Sequence, residues 1–416
     1  MIQSTKGRAF YLLTLIFIIY LLDYADRKVM SAIFESIKVE WDLQDSELGL
    51  LNGIVSLMIS IFVIPMSIIV DRWSRKYMIS IMVFIWSIAT LLCSFAQNYE
   101  QLLFFRALTG LGEAAYAAAA VTMITKTFPR NFRARYIGIY DAAAPIGSGL
   151  GIMLGGYIAE VYGWRHAFGL VAAPGIIMSI AFLFVVDYHT IKIPEKIKQS
   201  VTLSKEVFKD CLYLFKIPTL WYIYFAYSLI IGLNTTVIDW IPTFFQRFHA
   251  LSERDAAMKS GILAVAVLIG APLGGFIADI WGKRYIHAKI AVSIISTLLS
   301  IVFLYLAINT SSVSSCVIYL LLFGINTVAF LAPISTITQE VVKTNVRALS
   351  FGINVLIMNL FAFGIPVLVG KISDNYNLRI AMSLLPILGI VAAILFYLVR
   401  NKYHEDFKKV TDAVNE

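Results

Sequence analysis

Charged residues are scarce in this sequence. Only 14% of its 416 residues are Asp, Glu, Lys or Arg, 59% are hydrophobic, and the mean hydropathy is +0.79, whereas a soluble domain is about one quarter charged. Uncharged apolar runs recur along the chain, and about 20 such residues cross a hydrocarbon layer as one helix. Their continuity excludes a transmembrane β-barrel, whose strands alternate in polarity. The composition therefore predicts an all-α protein embedded in a lipid bilayer.

Histidine and cysteine are also few. The five histidines and three cysteines are scattered, without the spacing of a metal site, a disulfide framework, or a paired nucleophile and base. We therefore expect neither an enzymatic activity nor a bound metal or cofactor. The net charge of +8 lies mainly between the apolar runs, so we also expect no nucleic-acid partner.

The apolar runs predict twelve transmembrane helices, which we number 1 to 12. They lie near residues 9–34, 46–70, 77–96, 101–126, 135–160, 167–187, 218–246, 255–278, 285–308, 314–341, 347–370 and 378–400. The predicted organisation is an amino-terminal six-helix bundle at 1–187, a charged linker at 188–217, a carboxy-terminal six-helix bundle at 218–400, and a tail at 401–416. A surface-lying amphipathic helix is predicted within the linker, near 203–215.

The distribution of basic residues predicts the orientation of the chain. Most of the 34 lysines and arginines lie in the amino terminus, in alternate loops, in the linker and in the tail. Because basic loops remain on the cytoplasmic side of a membrane, we expect both termini and the linker to be cytoplasmic.

A short repeat relates the two predicted bundles. Each copy has the pattern small-x-Ile-x-acid and ends a predicted span: Ser67 to Asp71, Gly156 to Glu160, Gly275 to Asp279, and Gly370 to Asp374. Each bundle holds two copies at matching positions, which indicates two pseudo-symmetric six-helix bundles of related architecture.

Charges inside the first apolar run mark a candidate functional site. Asp23, Asp26, Arg27 and Lys28 lie between uncharged stretches, and an ionisable group at membrane depth costs at least about 2.5 to 3.5 kcal/mol unless it has a partner or faces water. Glu113 lies about 18 Å along the fourth predicted helix, a depth at which it can meet Asp26 and Arg27.

Further candidates concern the substrate. Arg106 lies two turns before Glu113 on the same helical face, which favours either an anchor for an anionic substrate group or a structural partner for an acid such as Asp141. Spans 7 and 10 combine aromatic and small polar residues, which suit an amphipathic substrate, although aromatic residues also form belts at membrane interfaces. The candidate substrate-binding residues are Arg106, Tyr24, Tyr116, Asn234, Asn326 and Phe330.

The loop after span 2 resembles a family signature. Together with its copy after span 8, it is similar to the Gly-x-x-x-Asp-Arg-x-Gly-Arg-Lys motif of the major facilitator superfamily of secondary transporters, with Ser67, Ser74 and Ile280 as departures. Within that superfamily the chain resembles the Spinster-type lipid transporters. The stretches responsible are Tyr24–Arg27, Asp71–Lys76, Arg106–Tyr116, Pro145–Gly151 and Gly163–Arg165.

The resemblance implies a fold and roles for several residues. It implies a monomer in which spans 1, 4, 7 and 10 surround a central cavity, and it implies that Asp26, Arg27 and Glu113 couple transport to a proton. The alternative for these three residues is a permanent salt bridge that fixes helix packing. It also implies a cytoplasmic gate, for which the candidates are Asp71, Arg72, Arg75, Lys76, Arg133, Asp279, Lys283 and Arg284.

The sequence therefore predicts a proton-coupled secondary transporter. The expected substrate is an amphipathic organic solute, lysolipid-like by resemblance, and the expected location is a bacterial inner membrane. Two alternatives remain open: a carrier that exports or imports a polar carboxylate metabolite or siderophore, and a drug-type efflux antiporter.

Overall fold

The structure, a computed structural model, describes residues 2–114, 116–186, 209–343 and 346–415. Twelve spans within these residues are long and apolar enough to cross a membrane, which confirms the predicted all-α architecture. Spans 1 to 12 are, in order, Gly7–Ala32, Asp45–Met66, Arg75–Cys93, Tyr99–Thr127, Arg130–Tyr162, Trp164–Phe182, Pro218–His249, Glu253–Gly282, Ala288–Asn309, Val313–Glu340, Leu349–Asn375 and Leu378–Lys408.

Several spans consist of two consecutive helices. The α-helices are Ile2–Ala32, Phe34–Trp41, Asp45–Arg72, Arg75–Cys93, Tyr99–Glu113, Tyr116–Thr127, Arg133–Asp141, Ala143–Tyr162, Trp164–Phe182, Pro218–His249, Glu253–Gly282, Ala288–Asn309, Val313–Val328, Leu331–Glu340, Arg347–Asn375, Leu378–Ser383 and Leu385–Asn415. Residues 209–215 are also helical. They coincide with the end of the segment 203–215, for which a surface-lying amphipathic helix is predicted; the first part of that segment lies outside the described residues, so the helix stays a prediction.

Local sequence explains where several of these helices begin. The Asn98 side chain accepts a hydrogen bond from the backbone N–H of Gln101 at 2.9 Å, and Ser74 accepts one from Tyr77 at 3.3 Å. Such caps satisfy first-turn amides that have no partner within the helix. Spans 5 and 6 are joined at Gly163, whose φ of +89° is a conformation that favours glycine.

The described residues form two compact units. Of the described residues, the first unit contains those up to 186 together with Ile238–Val265 and Pro366–Leu378, and the second contains 209–237, Ala266–Ile365 and 379–415. The first unit therefore joins spans 1 to 6 to end segments of spans 7, 8 and 11. The division predicted at 188–217 stays a prediction, because residues 187–208 lie outside the described part of the chain.

Each unit has its own apolar core. In the first unit, Ile16, Ile19, Trp86 and Tyr116 belong to a cluster of fully or nearly fully buried residues. In the second, Ile230, Phe330 and Phe396 belong to another. Packing in these cores fixes the relative positions of the spans that carry the charged residues.

A glycine brings span 5 against span 1 next to the charged stretch. A Cβ atom on Gly151 would lie only 2.7 Å from the Cα atom of Ala25, closer than a side-chain carbon can approach. Small residues of this kind allow two membrane helices to pack backbone to backbone. The contact fixes the part of span 1 that carries Asp23, Asp26 and Arg27.

Candidate functional site

The charges of span 1 lie inside the first unit and are shielded from solvent. Asp23 and Asp26 are 1% and 2% exposed, and the Arg27 side chain is 22% exposed. An isolated charge at this depth would be strongly unfavourable, so the partners of each group determine what the site can do.

The Arg27 guanidinium contacts two carboxylates. Its Nε atom lies 3.2 Å from Oδ1 of Asp23, one turn earlier in span 1, and 2.8 Å from Oε2 of Glu113 in span 4. Its Nη2 atom also donates a hydrogen bond to Asp23 at 3.3 Å. Because the Glu113 side chain has no exposed surface, Arg27 is the cation that balances it. The structure thus brings Arg27 and Glu113 together, as the sequence predicted.

Asp26 faces a different cation. Its Oδ1 atom lies 3.5 Å from Nη1 of Arg106, and its Oδ2 atom accepts a hydrogen bond from the Thr90 hydroxyl at 2.5 Å. The Arg106 side chain is fully buried. Arg106 thus has a structural partner in a neighbouring span, and that partner is Asp26 of span 1; no ion pair to Asp141 is present among the described residues.

The cluster has more acids than bases. Asp23, Asp26 and Glu113 contribute three carboxyl groups, whereas Arg27 and Arg106 contribute two guanidinium groups. With every group ionised the cluster would carry one uncompensated negative charge away from water. A single proton on one carboxyl group would remove that charge. The arrangement is therefore suited to bind and release one proton.

The two tyrosines predicted to bind substrate lie beside this cluster. The Tyr24 ring is half-buried, and its centroid lies 5.0 Å from the Arg27 guanidinium carbon, within range of a cation–π contact. Tyr116 is buried and donates a hydrogen bond from its hydroxyl to the Ile16 carbonyl at 2.7 Å. Tyr24 retains exposed surface, while the polar atom of Tyr116 is already engaged.

The remaining substrate candidates belong to the second unit. Asn234 is 8% exposed, and its Oδ1 atom accepts no hydrogen bond from any described residue. Asn326 is half-buried and donates to the Leu322 carbonyl in its own helix at 2.8 Å. Phe330 has no exposed surface and packs against Tyr227 and other core residues. Their roles in substrate binding stay predictions.

The predicted gate residues have different surroundings. The side chains of Asp71 and Arg72 lie outside the described part of the structure. Arg75 is half-buried, the Lys76 ammonium lies 5.4 Å from the Tyr77 ring centroid, and Arg133 donates to the Phe128 carbonyl at 3.2 Å. The exposed residues of the set are Asp279, Lys283 and Arg284. The gate stays a prediction for all eight residues.

Sequence reasoning missed a second buried ion pair. Nζ of Lys28 lies 2.5 Å from Oδ1 of Asp239 in span 7, and that oxygen also accepts a hydrogen bond from Ser31 at 3.0 Å. Asn52 in turn donates to the Ser31 hydroxyl at 3.0 Å. The available signal was Asp239, a charge within the apolar run 218–246, but spacing along the chain does not reveal which spans are neighbours.

Comparisons with known proteins agree with this architecture. The model of the family described as Major Facilitator Superfamily matches residues 16–364. Protein spinster homolog 1 of Xenopus tropicalis is 26% identical over 390 residues, which cover 89% of this chain and 74% of that protein. An MFS-type efflux pump of Mycolicibacterium smegmatis is 24% identical over 400 residues, which cover 92% of this chain and 91% of the pump.

A solved structure is similar in fold. It is the crystal structure of a bacterial homologue of the human lysosomal transporter Spinster, in an inward-facing and unoccupied conformation. The TM-score is 0.83 at 23% sequence identity, with 96% of this chain and 98% of the other chain covered. This likeness shows the fold, and the roles of individual residues rest on the geometry described above.

Proposed function

Because the chain belongs to the major facilitator superfamily and is a Spinster-like secondary transporter, we propose that it uses protons to carry an amphipathic organic solute across the membrane by alternating access. The observation that carries the proposal is the excess of buried carboxyl groups over guanidinium groups around Arg27 and Arg106. A structural salt bridge needs one acid for each base. With two guanidinium groups in the cluster, the third carboxyl group is not needed to balance a base.

Glu113 is the proposed proton acceptor. Among the described residues its carboxylate pairs with one guanidinium, that of Arg27, and Arg27 divides its attraction between Glu113 and Asp23. When Glu113 is protonated, Arg27 is balanced by Asp23 alone within span 1. The attraction between spans 1 and 4 weakens at that moment, because a charge-assisted contact is replaced by a neutral one. Proton binding thereby changes how firmly the two spans are held together.

Asp26 has a supporting role in the same proposal. Its carboxylate balances the fully buried Arg106 and accepts the Thr90 hydrogen bond, so span 1 remains attached to spans 3 and 4 when Glu113 is neutral. Loss of the Asp26 charge would leave Arg106 without a counterion.

The character of individual candidate side chains supports an amphipathic substrate. Tyr24 offers an aromatic face beside a cation, and the side-chain carbonyl oxygen of Asn234 accepts no hydrogen bond from any described residue. Apolar surface with few polar groups is typical of sites for solutes that have one polar and one apolar part. A lysolipid is the proposed example, since the chain resembles Spinster-type proteins.

Two other substrate classes serve as alternatives. The similarity to an MFS-type efflux pump supports a drug-type antiporter as one alternative. A polar carboxylate metabolite or siderophore would need an accessible cation, and the Arg106 side chain has no exposed surface. Burial of Arg106 therefore weighs against the anchor that was predicted for a carboxylate substrate.

The proposed location is a bacterial inner membrane with both termini in the cytoplasm, and the proposed oligomeric state is a monomer. The orientation rests on the excess of lysine and arginine in the termini, alternate loops and linker. Impermeant labelling of a cysteine placed at either terminus tests it, since only inverted vesicles should react.

Glu113→Gln tests the coupling. The purified protein is first screened for thermal stabilisation by lysophospholipids, carboxylate siderophores and sugar acids, and the most stabilising compound is then used in proteoliposomes. The variant should bind that compound, yet uptake should no longer respond to an imposed proton gradient, because the amide cannot exchange a proton at this position.

The matched control is Glu100→Gln, which changes an exposed acid at the beginning of the same span and should keep proton-driven uptake. A Glu113→Gln variant whose uptake still follows the proton gradient would overturn the assignment of Glu113. A preference for sugar acids in the binding screen would overturn the substrate class and leave the coupling assignment intact.

A further inference from the structure

Two copies of the sequence repeat end on acids that contact the beginning of another span. Glu160 lies at the end of span 5 and Asp374 at the end of span 11, each four residues after a glycine. Both acids and both of the helix ends that they contact belong to the first unit. Neither acid takes part in the charge cluster around Arg27 and Arg106.

Asp374 binds the amino end of span 2. Its Oδ1 atom accepts a hydrogen bond from the backbone N–H of Asp45 at 2.6 Å, and its Oδ2 atom accepts one from Ser46 at 3.0 Å. These are the first two residues of the helix Asp45–Arg72, so their amides have no acceptor within it. A carboxylate at this position also interacts favourably with the positive end of the helix dipole.

Glu160 makes the equivalent contact with span 8. Its Oε2 atom accepts a hydrogen bond from the backbone N–H of Arg254 at 2.7 Å, in the first turn of the helix Glu253–Gly282. Span 8 also has a local cap, since the Ser252 hydroxyl accepts a hydrogen bond from the amide of Asp255 at 3.2 Å. Glu160 therefore satisfies a first-turn amide of span 8 in addition to the amide that the local Ser252 cap satisfies.

The glycine of each repeat explains how the acid reaches its target. A Cβ atom on Gly370 would lie 2.7 Å from the Cα atom of Ser46, and one on Gly156 would lie 3.0 Å from the carbonyl oxygen of Glu253. Each glycine thus lets its helix approach the beginning of the partner helix. The acid one turn later then faces the unpaired amides.

We propose that Glu160 and Asp374, the cap pair, form a two-sided gate that stabilises the state in which the ends of spans 5 and 11 contact the beginnings of spans 8 and 2. Each contact joins a span of the predicted amino-terminal bundle to one of the carboxy-terminal bundle, so both contacts must break when this end of the transporter opens. The cap pair does not include Asp279, which ends another copy of the repeat in span 8 and is exposed.

A cluster beside Asp374 adds to this gate. Asp45 uses its side chain to accept hydrogen bonds from Arg247 at 2.6 and 2.8 Å, from Ser373 at 2.5 Å, and from Lys38. Asp45 therefore joins the beginning of span 2 to the ends of spans 7 and 11. Asp374 and Asp45 therefore act at the same helix ends, the beginning of span 2 and the end of span 11.

The proposed gate does not depend on proton coupling, so the effect of Glu160 and Asp374 can be measured without substrate. Spin labels are placed at Gln97→Cys and Tyr376→Cys, both exposed positions of the first unit, after replacement of Cys93, Cys211 and Cys316. Electron–electron distance measurements then give the ratio of closed to open forms. We expect Glu160→Ala and Asp374→Ala each to raise the open fraction about fivefold, the effect of losing one helix cap.

The matched control removes a local cap on the helix that Asp374 contacts. Glu47→Ala removes the side chain that accepts a hydrogen bond from the backbone N–H of Gln44 at 2.8 Å. Ser252 is left unchanged, because its hydroxyl also hydrogen-bonds Glu160. The helix that begins at Asp45 exists in the closed and open forms alike, so Glu47→Ala should leave the distance distribution unchanged. An unchanged distribution in Glu160→Ala and Asp374→Ala, or an equal shift in the control, would overturn the gate.

Discussion

At the scale of single residues, the position of Asp26 is set by two other spans. Thr90 of span 3 and Arg106 of span 4 each contact one of its oxygens. The sequence predicted that Asp26 would have a buried partner, because a lone charge in an apolar run is unfavourable. It did not predict Thr90, since one threonine in an apolar helix resembles any other until the helices are packed.

Thr90→Val tests the importance of this contact. The substitution keeps the shape of the side chain and removes the hydrogen bond to a buried carboxylate, which should cost about 1 to 3 kcal/mol of stability. We expect a lower thermal unfolding midpoint in detergent. The control is Thr122→Val, because Thr122 donates only to the Ala118 carbonyl of its own helix. Equal midpoints for both variants would contradict the role given to Thr90.

At the scale of helices, hydropathy located the spans and left their neighbours undetermined. The predicted first and sixth spans, 9–34 and 167–187, correspond to Gly7–Ala32 and Trp164–Phe182. The positions of the spans can be predicted because the length of an apolar run is a local property of the sequence. Contact between span 1 and span 7 through Lys28 and Asp239 joins residues far apart in the chain, so no local pattern contains it.

A double-mutant cycle tests that contact between spans 1 and 7. Lys28→Met alone leaves Asp239 buried without a cation and should destabilise the protein by about 3 to 5 kcal/mol. Combining Lys28→Met with Asp239→Leu removes both charges and should restore most of the loss. Thermal unfolding of the four proteins measures the coupling energy between the two side chains.

The control for this cycle is an exposed pair in the last helix. Lys402 and Glu405 lie 3.3 Å apart with 45% and 58% of their side chains exposed, and such pairs contribute about 0 to 1 kcal/mol. If the double variant of Lys28 and Asp239 were as unstable as the sum of the single variants, the two residues would be uncoupled and the pair would not hold the spans together.

At the scale of the whole molecule, the sequence predicted the class and part of the site. The pairing of Arg27 with Glu113 was predicted from depth and charge, and the structure places the two groups 2.8 Å apart. The acids of the repeat were recognised as a pattern, but the contact of Asp374 with the amides of span 2 was not. A cap of this kind depends on how spans 2 and 11 pack, which the pattern does not specify.

The stability of the molecule should also depend on pH through Glu40, which lies outside the spans. The hydrogen bond from Arg165, together with that from the Trp164 indole, holds the pKa of Glu40 below its ordinary value. A lowered pKa means that the contact stabilises the fold above the ordinary glutamate pKa of about 4.3. That stabilisation is lost as the pH falls through the lowered value.

Glu40→Gln should therefore narrow the difference between the thermal unfolding midpoints measured at neutral pH and near pH 3. Arg165→Met should narrow it in the same way, and the double variant should show no further change. A Glu40→Gln variant that loses as much stability in acid as the unmodified protein would show that other carboxylates account for the effect.

The surplus acid among the charges of spans 1 and 4 has an electrical consequence. Gain of one proton changes the charge of the cluster by one elementary charge, and moving one elementary charge across the whole of a 100 mV membrane potential is worth about 2.3 kcal/mol. Under the proposed proton coupling, the membrane potential would therefore shift the equilibrium between the protonated and unprotonated carrier. With an uncharged or zwitterionic solute, each turnover would move net charge and produce a current.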